Sequence, residues 1–73
     1  MTDEMQVHTM AVKDSTSGNK HVSLCLFTNG VDYTYYVISA YNRSTHYASW
    51  NWFEDEKAAI DTYNAEYDRL FKK

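Results

Sequence analysis

The sequence has few of the residues that cross-link a chain or interrupt its regular structure. Cys25 is its one cysteine, and it contains no proline. An intramolecular disulfide is therefore excluded, and the cysteine content does not favour an oxidising compartment. The two glycines, Gly18 and Gly30, lie in turn-like surroundings and form no glycine-rich phosphate-binding loop.

Long apolar runs and basic patches are also missing. No apolar run approaches the ~20 residues that a membrane-spanning helix needs. The first ten residues are polar and acidic and lack the apolar segment of a signal peptide. The net charge is −3, and no basic segment is interleaved with aromatic residues. We therefore expect a cytoplasmic protein that neither enters membranes nor binds nucleic acid directly.

Aromatic residues are what the chain has in abundance. Seven Tyr, three Phe and two Trp occur among 73 residues, and 44% of all residues are apolar. A chain of this length forms one domain, residues 1–73, and buries only about 60% of the surface that its unfolded form exposes. Each aromatic side chain can bury roughly 150–250 Å², which offsets the small size of the core.

The hydrophobic periodicity divides the chain into four strands and a helix. Alternating β-branched and aromatic residues predict the strands, and apolar residues recur at helical spacing after residue 54. We expect residues 1–4 to fray. The predicted strands are 5–12, 20–28, 31–41 and 46–53, and the predicted helix is 54–71. The sequence thus predicts the α+β class, a four-stranded antiparallel meander sheet with one C-terminal helix packed on one face (ββββα).

Asn29-Gly30, between the second and third predicted strands, sets the predicted register. This pair is a strong signal for a two-residue type I′ turn, which would place Leu24 opposite Tyr35. A loop over residues 42–45 extends the register to the fourth strand. One face then becomes nearly all apolar, and the helix is expected to cover it. Its predicted members are Val22, Leu24, Leu26, Tyr33, Tyr35, Val37, Tyr41, Ala48, Trp50 and Trp52.

The opposite sheet face is predicted to be uncovered and is the main functional candidate. A first hairpin loop over residues 14–19 would add Gln6, His8, Met10 and Val12 to it. The face is more apolar than a solvated surface needs, which is typical of contact sites. The alternative is that half-exposed Tyr and Thr side chains merely stabilise the strands in cross-strand pairs. The predicted protein-binding residues are Met10, Phe27, Tyr36, Ile38 and Tyr47.

The helix surface is the second candidate. Between Glu54 and Asp68, six acidic residues and one lysine give a local charge of −5. Such a surface could meet a basic partner through electrostatic steering. The alternative is an ordinary solvated helix face. The candidate acidic surface consists of Asp55, Glu56, Asp61, Glu66 and Asp68.

Catalytic and metal-binding patterns are weak. His21 and Cys25 stand four residues apart on one predicted strand, about 13 Å at the usual strand rise. That is too far for a shared tetrahedral metal site or for a nucleophile and its base. His8 could lie opposite Cys25 and supply at most a second ligand. We predict no enzyme activity, no metal and no cofactor. The two tryptophans could stack nucleic-acid bases only on a different register.

The leading expectation is a small non-enzymatic binding protein that contacts a protein partner, or a second copy of itself, through the uncovered face. The alternative is an acidic inhibitor or nucleic-acid mimic whose helix acts against a basic nucleic-acid-handling enzyme. The profile is short, acidic and tyrosine-rich, without a catalytic motif. It resembles small phage or mobile-element proteins that inhibit host enzymes, anti-CRISPR proteins among them. That resemblance rests on the profile rather than on a motif, and it implies the alternative function.

Overall fold

The computed structural model of the protein describes residues 5–30 and 32–72. Within these residues the elements are β1 (Gln6–Asp14), β2 (Lys20–Thr28), β3 (Thr34–Asn42), β4 (Tyr47–Phe53) and α1 (Glu56–Phe71). The strands form an antiparallel sheet in the order β1-β2-β3-β4. The predicted ββββα architecture is therefore confirmed. The expected fraying of residues 1–4 concerns residues outside the described ones.

The start of α1 shows why most element bounds agree closely with the predicted ones. Asp55 is the N-cap of the helix, and its carboxylate accepts the backbone N–H of Ala58 at 2.9 Å. Aspartate is among the preferred N-cap residues because it satisfies an N–H group that has no partner within the helix. Strand β3 is the exception, since it begins at Thr34 rather than at residue 31.

The connection between β2 and β3 is longer than the predicted two-residue turn. Thr28 pairs with Thr34, so the two strands are five residues apart in the sequence rather than two. Gly30 has a positive φ of 82°, but Asn29 is not among the described residues with a positive φ. A type I′ turn needs a positive φ at both central residues, so the loop is of a different kind.

Hydrogen bonds to side chains hold this longer loop together. The side-chain oxygen of Asn29 accepts the backbone N–H groups of Asp32 and Tyr33, at 2.9 and 3.0 Å. The backbone N–H of Asn29 also donates to the carbonyl of Tyr33 at 3.2 Å. Asn29 thus acts as an Asx-type turn residue, a common alternative use of asparagine in turns.

The loop length decides which residues of β2 and β3 share a face. Leu24 lies opposite Ile38, and Val22 lies opposite Ala40. This register differs from the predicted one by an odd number of residues. Because successive strand residues point to opposite faces, every β3 side chain lies on the face opposite to the predicted one. The predicted pairing of Leu24 with Tyr35 is therefore wrong.

The turn between β3 and β4 carries this reversal into β4. A short 3₁₀ turn over Arg43–Thr45 is capped by Asn42, and His46 follows in the left-handed conformation with φ 57°. Asn42 pairs with Tyr47, which differs from the predicted register by an even number of residues. Because the difference is even, residues of β3 and β4 that were predicted to share a face still share one. Both strands are therefore turned over together relative to β2.

Helix α1 packs on the face that contains the even-numbered residues of β2 and β3. The buried apolar cluster consists of Val22, Leu24, Ile38, Ala40, Ala59 and Leu70. Half-buried apolar side chains pack around it: Ala11, Tyr36, Tyr47, Phe53, Tyr63, Tyr67 and Phe71. The core therefore lies between the helix and one sheet face, and both tryptophans lie outside it.

Candidate interaction surface

The uncovered sheet face is named here the aromatic face. The pairing of the strands places Phe27 opposite both Val7 and Tyr35, and Val37 opposite Trp52. Paired residues of an antiparallel sheet share a face, so these side chains lie together. Each member is uncharged. The aromatic face consists of Val7, Thr9, Val12, Ser23, Cys25, Phe27, Tyr35, Val37, Ser39, Ala48, Trp50 and Trp52.

Large apolar side chains of this face are open to solvent. Trp50 is 63% exposed, Trp52 is 52% exposed and Val7 is 54% exposed. Tyr33, in the loop before β3, is 55% exposed and stacks on Tyr35 with ring centroids 6.2 Å apart. Within residues 5–30 and 32–72 the only helix covers the other side of the sheet. Contiguous exposed apolar area of this kind marks interaction sites more often than scattered single residues do.

A groove lies toward the Phe27 end of the aromatic face. It has a volume of about 290 Å³, and its lining residues are Met5, Phe27, Tyr35, Val37, Trp50 and Trp52. Tyr35 and Trp52 form its wall, with ring centroids 5.2 Å apart in an edge-to-face arrangement. Val37 is only 7% exposed beneath them. The edge-to-face contact sets the relative orientation of the Tyr35 and Trp52 rings.

A polar cluster closes one end of the same face. The Nδ1 atom of His21 lies 2.6 Å from Oδ1 of Asp14. The His21 ring stacks on Tyr41 with centroids 5.1 Å apart, and the Arg43 guanidinium lies 5.2 Å from the centre of the Tyr41 ring. Charge is thus concentrated at the rim, beside the turns, and the middle of the face remains apolar.

Most of the predicted protein-binding residues lie elsewhere. Phe27 belongs to the aromatic face, but Ile38 is fully buried in the core, and Tyr36 and Tyr47 pack against that core. Their predicted exposure is wrong because the β2–β3 loop reverses β3 and β4. Met10 is 43% exposed and is the extra residue of a β-bulge in β1.

The bulge also changes the predicted contribution of β1. On one side of it Thr9 lies opposite Cys25, and on the other side Ala11 lies opposite Leu24. A bulge inserts one residue and so reverses the alternation along the strand. Of the β1 residues predicted on the uncovered face, Val12 lies there. Gln6 and His8 share the helix side with their β2 partners.

The acidic residues of α1 do not form one open surface. Glu66 is 8% exposed, and its carboxylate accepts hydrogen bonds from the hydroxyls of Tyr47 and Ser49. Glu66 is therefore part of the helix–sheet contact, and its prediction as a surface residue is wrong. Asp55 caps the helix, and Glu56 is exposed in the first turn.

Two further acidic residues of this set have lysine partners. Asp61 lies 2.9 Å from Nζ of Lys57, and Asp68 lies 3.6 Å from Nζ of Lys72. The hydrogen bond and the charge of Asp61 raise the pKa of Lys57 above its ordinary value. Both pairs are exposed i,i+4 pairs and neutralise part of the negative charge that a basic partner would meet.

The described residues contain neither a cluster of metal ligands nor a membrane-spanning helix. Among the described residues no three His, Cys, Asp or Glu side chains come together to hold a metal ion. Nor is any described helix long and apolar enough to cross a membrane. Comparison with protein-family models, with curated proteins and with solved structures finds no match. The surfaces formed by the described residues therefore provide the basis for a proposed function.

The position of the tryptophans was the main feature that sequence reasoning placed wrongly. Strand β3 is apolar on both of its faces. The residues of one face are as suited to a core as those of the other: Tyr36, Ile38 and Ala40 on one, Tyr35 and Val37 on the other. The strand pattern alone therefore could not choose its buried face. Strand β4 offered no clear signal either, since Tyr47 and Phe53 on one alternation are apolar like Trp50 and Trp52 on the other.

Proposed function

We propose that this chain is a non-enzymatic binding protein that works by protein–protein contact through the aromatic face. The observation that carries the proposal is the exposure of Trp50 and Trp52 beside an apolar groove on an uncharged sheet face. Tryptophan and tyrosine dominate the energetics of protein interfaces because they bury large areas with few rotatable bonds. An interface core is also depleted of charge, as this face is.

Exposed tryptophans could instead stack nucleic-acid bases. Proteins that bind single strands combine such aromatic platforms with a positively charged groove that follows the phosphates. The aromatic face consists of uncharged residues, and the chain as a whole carries a net charge of −3. This charge distribution favours a protein partner over a polyanion.

A small-molecule site is likewise less well supported. Such sites are usually concave, with volumes of about 300–1,000 Å³ and a few polar groups that orient the ligand. The groove has a volume of about 290 Å³ and is lined by apolar and aromatic side chains. It suits an apolar side chain of a partner better than it suits a ligand that must be oriented.

The acidic helix provides a weaker basis for function. An inhibitor that mimics nucleic acid would present several unpaired carboxylates to a basic enzyme. Glu66 is buried here, and Asp61 and Asp68 lie beside lysines. We therefore assign the contact to the sheet face rather than to the helix.

The proposal is tested by replacing both tryptophans with serine (W50S/W52S) and comparing partner capture in the native host with that of the unaltered chain. Ile60→Ser is the matched control, because Ile60 is 39% exposed but lies on the helix. We expect the double variant to lose at least ten-fold of the specifically captured protein and I60S to retain it. Circular dichroism confirms that each variant is folded. Equal capture by all three proteins would contradict the proposal.

A further inference from the structure

We infer that the protein covering the aromatic face is a second copy of this chain, so that two sheets pack face to face in a symmetric sandwich. The inference rests on the proposed function, because it names the partner of the same surface. It follows from three properties of that surface: its area, its lack of charge and its place in a very small protein.

The area of the face matches what a two-fold interface requires. Strands β1, β2 and β3 have nine residues each, and β4 has seven. With strands ~4.8 Å apart and a rise of ~3.3 Å per residue, the face has a flat area of about 540 Å². Two copies would cover about 1,100 Å² before the relief of the side chains is counted. Specific interfaces begin at about 1,200 Å² in total, so the sheet face alone nearly suffices.

The charge distribution permits two identical faces to meet. In a symmetric dimer each patch contacts its own copy, so any charged residue near the axis would approach a like charge. The members of the aromatic face are uncharged, and the charged residues Asp14 and Arg43 lie at its rim with His21. The helix, with its excess of acidic residues, lies on the far side of the sheet. A dimer formed in this way therefore brings no like charges together in its centre.

The size of the protein gives self-association a physical benefit. Among residues 5–30 and 32–72 of a single copy the buried apolar residues are few, and Ile38 and Val22 are the largest fully buried side chains. The largest aromatic side chains, Trp50 and Trp52, remain outside that core. Sheets in sandwiches pack about 10 Å apart, with inner-face side chains interdigitating. A second copy would convert the exposed tryptophans into the centre of a second core.

Cys25 provides a built-in reporter for this arrangement. It lies in the interior strand β2, on the aromatic face between Thr9 of β1 and Val37 of β3. Its side chain is partly exposed in a single copy and is a free thiol. In a face-to-face dimer the thiol would lie within the covered area, so reagents would reach it only after dissociation.

The test measures mass and thiol reactivity on the same pure protein. Sedimentation equilibrium is recorded between 1 and 200 µM chain, and the rate of Cys25 alkylation by iodoacetamide is measured over the same range. We expect the mass to rise from 8.6 kDa toward twice that value. The alkylation rate should fall at least ten-fold over the same interval. Trp52→Ser should remain monomeric with a constant rate, and Ile60→Ser should behave like the unaltered chain.

Two results would overturn the inference. One is an unaltered chain that stays at 8.6 kDa with a constant alkylation rate up to 200 µM. The other is a dimer that persists in W52S and leaves Cys25 reactive, since it would use a different surface. Either result leaves the proposed function to be judged by partner capture. After either result, loss of partner capture in W50S/W52S would show that a different protein binds the aromatic face. Partner capture that is unchanged in W50S/W52S would contradict the proposed function as well.

Discussion

Glu66 carries a carboxylate into the contact between helix α1 and strand β4. It accepts hydroxyl hydrogen bonds from Tyr47 and Ser49, and the Arg69 guanidinium lies 4.4 Å from the centre of the Tyr47 ring. A buried carboxylate is tolerated only when hydrogen bonds replace its hydration. Glu66 therefore helps to orient the helix on the sheet by polar contacts, beside the apolar core.

Replacing Glu66 with Ala should destabilise the fold by about 2 kcal/mol, because two hydroxyl groups lose their acceptor in a partly buried site. Urea unfolding at fixed chain concentration measures this change. Glu56→Ala is the control, since Glu56 is exposed in the first turn of the same helix. A loss for E66A no larger than that for E56A would show that the cluster contributes nothing to stability.

At the scale of single elements, the β2–β3 loop decides which residues of the two strands lie opposite each other. Asn29-Gly30 could form a two-residue turn, and that turn would pair Thr28 with Val31. The chain instead pairs Thr28 with Thr34, which brings Ile38 beneath the helix together with Leu24. The two-residue turn would instead place Tyr35 and Val37 beneath the helix. The observed loop is held by the side-chain oxygen of Asn29, which accepts the backbone N–H groups of Asp32 and Tyr33.

Deleting residues 31–33 should keep the observed register, because Asn29-Gly30 would then join Thr28 directly to Thr34 as a two-residue turn. Shortening the loop from five residues to two lowers the free-energy cost of closing it by about 0.8 kcal/mol. The free energy of unfolding should therefore stay within about 1 kcal/mol of the original value. Nuclear Overhauser contacts between the Leu24 and Ile38 backbones report the register. Adding Gly30→Ala to the deletion should destabilise it, because the turn needs a positive φ there.

This loop also marks the limit of what could be predicted. Strand β2 was located at its observed bounds, and the ββββα order followed from periodicity alone. The faces could not be derived, because β3 is apolar on both sides and a shift of one residue changes every face assignment. The bulge at Met10 had no signal in the sequence. Phe27 was placed correctly because it depends only on β2, whereas Tyr36, Ile38 and Tyr47 depend on the loop.

At the scale of the whole molecule, the protein consists of two layers, with a helix on one side of the sheet and the aromatic face on the other. Domains of this size bury a smaller fraction of their surface than larger domains do, and they gain stability from association. In the contact that we propose, the same residues would bind the partner and complete the apolar core. Binding would therefore also stabilise the fold. Its dependence on chain concentration should appear in the melting temperature as well as in the mass.

Salt should have little effect on the proposed contact. The aromatic face is uncharged, and the Debye length falls from about 10 Å at 0.1 M to about 3 Å at 1 M, so only charged contacts are screened. We expect the dissociation constant of the pure protein to change less than about three-fold between 0.05 and 0.5 M NaCl, as measured by sedimentation. Charge reversal at Asp61 and Asp68 is the matched variant and should leave it unchanged. A large loss of affinity with salt would instead indicate contact through the acidic helix.

The sequence by itself determined the elements of this protein: the order ββββα, the antiparallel meander and the approximate bounds of each strand and of the helix. These properties depend on periodicity and capping, which are local and can be read from neighbouring residues. Only the tertiary structure decided which sheet face is covered and that Trp50 and Trp52 lie outside. The reason is physical. Alternation along a strand has period two, so a loop that is longer by an odd number of residues exchanges the two faces, and β3 is apolar on both of them.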